Sequence, residues 1–134
     1  MFVKILNTFV VIYLMLTMKY VEIIQLLREG LGDSEPPHKS IAFFRSDKVS
    51  MIVWLVILNS HYQKEKCNTE SIFLNIPSHV ASRPTVYKHI DNATSKGYVI
   101  KKQNEDDHRI FNLYPSDITI SEFEGWVNKF TFVS

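Results

Sequence analysis

The residues of this 134-residue chain that are best suited to chemistry are basic, and they lie close together. Six of the 15 lysines and arginines fall between positions 83 and 109 with four acidic residues, a local balance of 6 − 4 = +2. They are Arg83, Lys88, Lys96, Lys101, Lys102 and Arg109. Such side chains bind phosphates, and arginine also binds base edges through paired N–H donors. The whole chain carries only +1, so any nucleic-acid site must be a local patch.

Catalytic chemistry has little support in the sequence. The five histidines form no i, i+4 pair and have no cysteine partner, and the four glycines form no phosphate-binding loop. Asp106, Asp107 and His108 could be drawn as an acid–base cluster, but a polar turn lacks the buried pocket that tunes a pKa. We therefore predict that the protein is not an enzyme, with no catalytic residue, no metal ligand and no cofactor.

The first element that positions the basic residues is a helix beginning at Ser82. Ser82 is a good N-cap whose hydroxyl should accept a hydrogen bond from the Thr85 N–H, and Pro84 is tolerated in the first turn. Gly97 can adopt the left-handed conformation that ends a helix. Three apolar residues share one face at helical spacing and should be buried, namely Val86, Ile90 and Ala93. The basic side chains then lie largely on the other faces.

Two strand-like runs follow, YVIKKQ and HRIFNLY, with the polar NEDD between them and Pro115 at the end. They predict a β-hairpin. A short helix around Glu70 to Leu74 and the turn NIPSH precede the helix that begins at Ser82. The order helix, turn, helix, hairpin is typical of a winged helix-turn-helix. We expect a mainly α fold with a small β-hairpin, in which the second helix can enter the DNA major groove and the hairpin, or wing, lies beside it.

The segment from about Ser82 to Tyr114 resembles the MarR-type winged-helix transcriptional regulators. The resemblance lies in S-x-x-T-V at 82 to 86, Asp91 one turn later, K-G-Y-V at 96 to 99, and an Asp-x-Arg at 107 to 109. It implies N- and C-terminal dimerisation helices and a homodimer that places two recognition helices on a pseudo-palindromic operator in double-stranded DNA. The flanking helices match the family only in order and character.

The predicted DNA-binding residues lie on the recognition helix and the wing, and they are Ser82, Arg83, Thr85, Tyr87, Lys88, His89, Lys101 and Arg109. The resemblance implies that the wing arginine, Arg109, reaches the minor groove. Two positions differ from the family. His89 stands where an apolar residue is usual, and the wing tip carries three acidic residues with one arginine where two are common.

The same residues have ordinary structural interpretations. Arg83 and Lys88 could be solvated helix charges, and Arg109 could pair with a neighbouring aspartate across the turn. His89 fits half-buried packing better than base recognition, and Tyr87 could equally lie at the edge of the core. At the level of the whole chain, the alternative function is a winged helix that binds protein, possibly tethered to a membrane through residues 5 to 18.

That uncharged run, ILNTFVVIYLMLTM, is shorter than the roughly 20 residues needed to span a bilayer, and no cleavage site of the kind that ends a signal peptide follows it. The helical pattern continues to Gly30. We therefore predict an apolar N-terminal helix at 1 to 30 that packs in a core or a subunit interface, with a membrane anchor or a leader as alternatives. Contact with a membrane is not expected.

Residues 31 to 45 are predicted to form a linker, because Gly, Asp, Ser and a proline pair begin the segment. The DNA-binding domain at 46 to 116 should open with a central buried helix capped by Ser46. A C-terminal helix at 117 to 134 should join the N-terminal helix in the dimer surface. An unidentified effector could bind between these helices and the DNA-binding domain, against Phe43, Phe44 or Trp54.

A single cysteine, Cys67, excludes an internal disulfide and fits a reducing compartment, so a cytoplasmic location is predicted. Nothing near Cys67 in the sequence has the basic character that lowers a thiol pKa. We therefore expect this thiol to be structural, with a redox sensor as the alternative.

Overall fold

A computed structural model describes residues 2 to 32 and 38 to 128 of the chain. These residues are mainly helical, with one two-stranded antiparallel sheet, as the sequence predicts. In chain order the elements are α1 (Phe2–Gly32), α2 (Lys39–Arg45), α3 (Lys48–Gln63), α4 (Thr69–Asn75), α5 (Arg83–Ser95), β1 (Val99–Gln103), β2 (Phe111–Pro115) and α6 (Asp117–Asn128). They divide into two compact units: unit 1 is Met1–Pro36 with Glu124–Ser134, and unit 2 is Pro37–Phe123.

Unit 1 contains α1, which reaches Gly32, two residues beyond the predicted end at Gly30. Five consecutive apolar side chains of α1, from Phe9 to Tyr13, are exposed in the single chain. Successive helical residues are about 100° apart, so these five side chains expose apolar surface around the whole helix. None of the described helices combines the length and the apolar character needed to cross a bilayer. Residues 129 to 134 of the predicted C-terminal helix lie outside the described residues.

Unit 2 begins with a correction to the predicted linker, because residues 39 to 45 form α2. Ile41 and Phe44 of this helix are 0% and 1% exposed, and the Phe44 ring stacks on Trp54 with 5.7 Å between centroids. The burial of these two apolar side chains outweighs the loop-like composition of the preceding residues. Phe44 and Trp54 were expected to line an effector pocket, but they fill the core of unit 2. Residues 33 to 37 of the predicted linker lie outside the described range.

The predicted cap of α3 is also corrected. Asp47 caps this helix, accepting hydrogen bonds from the N–H groups of Val49 and Ser50 at 2.7 and 3.3 Å. Ser46 instead ends α2, where its hydroxyl donates to the Phe43 carbonyl oxygen. A carboxylate carries negative charge to the positive end of a helix, which a hydroxyl does not do. The presence of α2 thus moves the start of α3 by one residue.

The helix α3 is central in unit 2, as predicted, and it packs against α2, α4, α5 and β2. Its buried side chains include Val53, Trp54, Ile57 and Leu58. The start of α6 closes the other side, where Phe123 meets Trp54 edge to face at 5.6 Å. Glu122 of α6 accepts hydrogen bonds from the Ser40 N–H and hydroxyl at 3.0 and 2.5 Å. These contacts make α2, α3 and the first turns of α6 one packed layer.

Lys64 is the one non-glycine residue of the described part of unit 2 with a backbone conformation suited to glycine. Lys64 ends α3 with φ of +59°, a left-handed conformation that costs an L-residue roughly 1 kcal/mol or more. We expect Lys64→Gly to raise the free energy of unfolding by about 0.5–1 kcal/mol in urea denaturation. Gly97 provides the matched control, because its φ is +79° and an added Cβ would meet nothing within 4 Å. Gly97→Ala should therefore lower stability through backbone strain alone, and destabilisation by Lys64→Gly would contradict this explanation.

Candidate nucleic-acid interface

The candidate interface is built on α4, α5 and the hairpin of unit 2. Asn68 caps α4 in a reciprocal box, accepting from the Ser71 N–H at 3.0 Å while its own N–H donates to the Ser71 hydroxyl. Ser82 caps α5 as predicted, accepting from the Thr85 N–H at 3.4 Å. The predicted inner face of α5 is confirmed, and its residues Val86, Ile90 and Ala93 are all buried. Since that face packs against the rest of unit 2, the opposite face of α5 is exposed and open to a ligand.

The predicted hairpin is confirmed, with β1 and β2 paired antiparallel from Val99↔Pro115 to Gln103↔Phe111. Successive side chains of a strand point to opposite faces, and the two lysines of β1 follow this rule. Lys101 Nζ lies 4.7 Å from the centre of the Phe111 ring, while Lys102 Nζ lies 5.7 Å from that of Tyr114. Lys101 therefore lies on the face of the hairpin that carries Phe111 and lines the cleft beside α4 and α5, whereas Lys102 lies on the opposite face.

The wing arginine is paired with an aspartate, which was the structural alternative considered for it. Arg109 donates from Nε and Nη2 to the two carboxylate oxygens of Asp107, each at 3.0 Å, and its backbone N–H donates to the same group. These hydrogen bonds lower the pKa of Asp107, and the carboxylate raises the pKa of Arg109. The pair is therefore charged at neutral pH. The side chain of Arg109 remains 89% exposed, so water and ions reach it freely.

Arg83, in the first turn of α5, also has an acidic partner. Arg83 Nη1 donates to Glu70 Oε1 at 2.8 Å, and the Arg83 guanidinium carbon lies 4.5 Å from the centre of the Phe73 ring. The Phe73 ring meets Tyr87 edge to face at 5.2 Å. Lys88 is exposed on the same helix and takes part in no ion pair among the described residues. Of the two cations on this part of α5, Lys88 thus has the more available charge.

His89 faces the core of unit 2, which agrees with the packing interpretation. Its Nδ1 lies 2.8 Å from the Ser50 hydroxyl, and its Nε2 lies 3.4 Å from Asp47 Oδ1. Serine, histidine and aspartate also occur together in hydrolases, but Ser50 is 3% exposed, which leaves its hydroxyl without access to a substrate. The three side chains tie α5 to the N-terminus of α3. His89 is the one predicted DNA-binding residue whose ring is committed to the inner side of the helix.

Three of the predicted residues meet in one cleft of about 320 Å³ between α4, α5 and the hairpin. They are Tyr87, Lys101 and Arg109. Glu70 lines the same cleft, and its ion pair brings Arg83 to the edge of it. Ser82, Thr85 and Lys88 are exposed on α5. The fold therefore gathers four of the eight predicted residues at this cleft and leaves three more exposed on α5 or at its N-cap. We call these seven residues, together with the α4 residues that contact Arg83, the α5–wing surface.

Two residues of this surface were not predicted, Glu70 and Phe73. Both belong to α4, and they lie 13 and ten positions before Arg83 in the sequence. No spacing rule links residues on two helices that are joined by a turn, because the contact depends on how the helices cross. An acidic residue in the first turn of α4 could have been noticed as a helix-stabilising charge, but nothing in that role indicates Arg83 as its partner.

Other potentially reactive groups lie apart from this surface or are buried. Burial raises the pKa of the Cys67 thiol, which disfavours the nucleophilic thiolate at neutral pH. Among the residues that the structure describes, no three histidine, cysteine or acidic side chains are grouped to hold a metal ion. No protein-family model, curated protein or solved structure matches the chain. The features that bear on the function of this chain are therefore its fold and the α5–wing surface.

Proposed function

We propose that this protein is a sequence-specific, double-stranded DNA-binding transcriptional regulator of the winged helix-turn-helix class, similar to MarR-type regulators. The observation that carries the proposal is the α5–wing surface, where an exposed helix face with Arg83 and Lys88 adjoins a hairpin with Lys101 and Arg109. A B-DNA major groove is about 12 Å wide and accepts one α-helix. Basic side chains on the helix and the hairpin can then bind phosphates on either side of the groove.

The ion pairs of Arg83 and Arg109 are compatible with this proposal. Exposed pairs contribute only about 0–1 kcal/mol, because water competes for both partners. Arg83 and Glu70 are 62% and 63% exposed at their side chains, so the Arg83 donors that Glu70 does not use remain accessible to DNA. The small net charge of the surface supports specific binding more than strong general attraction to DNA, since non-specific binding depends on the number of phosphates neutralised.

A homodimer is the second part of the proposal. The exposed apolar side chains of α1, including Phe9, Ile12, Tyr20 and Ile24, form a surface that needs a partner in water. A second copy can supply it through α1 and the C-terminal helix, and two α5 helices would then contact half-sites about 34–36 Å apart.

The oligomeric state can be tested by light scattering after size exclusion in detergent-free buffer. We expect the full chain to be a dimer, because α1 exposes apolar side chains on all sides. Removal of residues 1 to 20 should leave a monomer or cause aggregation. A soluble, monodisperse monomer of the full chain would refute the dimer.

Protein recognition is the second candidate function, and one observation favours it. A groove of about 540 Å³ on unit 2 is bounded mainly by apolar side chains of α3. They are Ile52, Leu55, Val56 and Leu58, with Phe123 of α6 beside them. The affinity of an apolar interface changes little with salt concentration, whereas the affinity for DNA phosphates falls steeply as salt increases.

The deciding experiment is a selection of bound duplexes from a random library, followed by titration of the selected duplex at several salt concentrations. Each phosphate neutralised contributes roughly −0.9 to the slope of log K against log salt. Three or four cationic contacts per subunit should give a slope of about −3 per subunit or steeper. No enriched sequence, or a slope near zero, would reject DNA as the partner and favour protein recognition.

The contribution of the wing can be measured separately, because Asp107 holds Arg109 and Asp106 does not. Arg109→Ala should weaken binding to all sequences alike and reduce the magnitude of the salt slope by about one. Asp107→Asn and Asp106→Asn both remove one negative charge from the wing tip, so they form a matched pair. Both should strengthen binding, and Asp107→Asn should do so more because it also releases Arg109. Identical slopes for all four proteins would exclude a wing that contacts DNA.

A further inference from the structure

We infer that Glu70 increases the sequence specificity of the α5–wing surface by holding Arg83 in position and offsetting its positive charge. This inference depends on the proposed DNA-binding function, and it assigns a role to an acidic residue on a surface expected to bind a polyanion. Glu70 lies on α4, the helix before the recognition helix. Without a basic partner, the carboxylate of Glu70 would only repel the phosphates of DNA.

Two residues of α4 hold the guanidinium of Arg83, one through a hydrogen bond at its edge and the other through an aromatic ring against its face. Glu70 accepts from Arg83 Nη1 at 2.8 Å, and the Phe73 ring lies 4.5 Å below the guanidinium carbon. Glu70 and Phe73 are three positions apart on α4, so they project from the same face of the helix. The guanidinium has five N–H donors in a fixed plane, and the hydrogen bond to Glu70 uses one of them. The remaining donors are sufficient for the paired hydrogen bonds by which arginine recognises guanine.

The Phe73 ring that packs against Arg83 is itself held in place by a side chain of α5. Tyr87 lies one helical turn after Arg83, and its ring meets the edge of Phe73 at 5.2 Å with an angle of 79° between the planes. Edge-to-face contact of two rings is a preferred geometry. The contact between α4 and α5 therefore includes four side chains that pack against one another, namely Glu70, Phe73, Arg83 and Tyr87. An arginine that is already held loses less side-chain freedom when it binds a base.

The charge of Glu70 has a different effect on the two kinds of DNA binding. Non-specific binding depends on how much positive charge reaches the phosphates, whereas base recognition depends on the placement of hydrogen-bond donors. A carboxylate beside Arg83 lowers the positive charge available to phosphates, but it also fixes the position of the Arg83 donors that recognise a base. Glu70 should therefore widen the ratio between specific and non-specific affinity.

The test compares Glu70→Gln with the full-length wild-type chain on the library-selected duplex and on a scrambled duplex of equal length and composition. Glutamine retains the shape of glutamate without its charge. We expect binding to the scrambled duplex to become about threefold to tenfold tighter, with a salt slope steeper by about one. Affinity for the selected duplex should rise less or fall, so the specificity ratio should decrease by at least about threefold. Glu65→Gln is the matched control, because Glu65 is also exposed in unit 2 but lines a separate cleft with His61 and Tyr114, and it should leave the ratio unchanged.

A double-mutant cycle with Arg83→Ala separates positioning from simple repulsion. If Glu70 acts through Arg83, Glu70→Gln should have no effect on the specificity ratio once Arg83 is alanine. If the ratio changes equally in both backgrounds, or does not change in either, the inference is wrong although the protein binds DNA. If the wild-type chain binds no duplex with a salt-dependent affinity, the proposed function fails and the inference fails with it. Comparison of the melting temperatures of all variants checks that the fold is unchanged.

Discussion

Replacement of Phe44 by alanine should lower the free energy of unfolding by about 3–5 kcal/mol, the range typical of a buried phenylalanine. Phe44 is 1% exposed, its ring stacks on Trp54 and it meets Phe43 edge to face at 5.1 Å. Its removal would leave a cavity between α2 and α3 that neither helix can close without moving. Urea denaturation followed by tryptophan fluorescence measures the loss and also reports on the environment of Trp54.

The matched control for this experiment is Leu74→Ala. Leu74 is also a large apolar residue of unit 2, but it is 87% exposed, so its truncation should change stability by no more than about 0.5 kcal/mol. If Phe44→Ala costs no more than Leu74→Ala, α2 does not belong to the core. That result would also restore residues 39 to 45 to the linker that their sequence context suggests.

Replacement of Arg83 by alanine should weaken binding to the selected duplex by about 1–3 kcal/mol, which corresponds to about 5- to 150-fold in the dissociation constant. The cause is the loss of a positioned base contact, and the sequence preference should relax at one position of each half-site. Lys88→Ala should weaken binding to all sequences more uniformly if Lys88 binds a phosphate, with a salt slope smaller in magnitude by about one. Fluorescence anisotropy on selected and scrambled duplexes distinguishes these two kinds of contact.

Lys66→Ala provides the control for loss of positive charge. Lys66 is exposed and lines the cleft near His61 and Tyr114, not the cleft of the α5–wing surface. Its replacement should have a much smaller effect on affinity than that of Lys88. If Arg83→Ala and Lys88→Ala both bind like the wild-type chain and melt normally, the recognition face of α5 does not contact DNA.

The sequence was sufficient to predict α5 because the interactions that define this helix are local. The cap at Ser82, the buried face from Val86 to Ala93 and the left-handed glycine at Gly97 all depend on residues within a few positions of one another. The hairpin was predictable for the same reason, since two β-prone runs are joined by a short polar turn. Periodicity and cap chemistry act at this range, so they were enough for the elements that present the basic residues.

The tertiary structure decided the features that depend on residues far apart in the chain. It made 39 to 45 a helix through contacts with α3, it directed His89 towards Asp47 and Ser50, and it paired Arg83 with Glu70. The charge count of the basic segment was correct, but the count does not reveal which cations are paired. The available charge depends on the crossing of α4 with α5 and on the fold of the wing tip. The sequence alone therefore determined the buried face of α5, because that face follows from helical spacing, whereas the packing of neighbouring elements turned His89 inwards and decided which of the remaining side chains are paired.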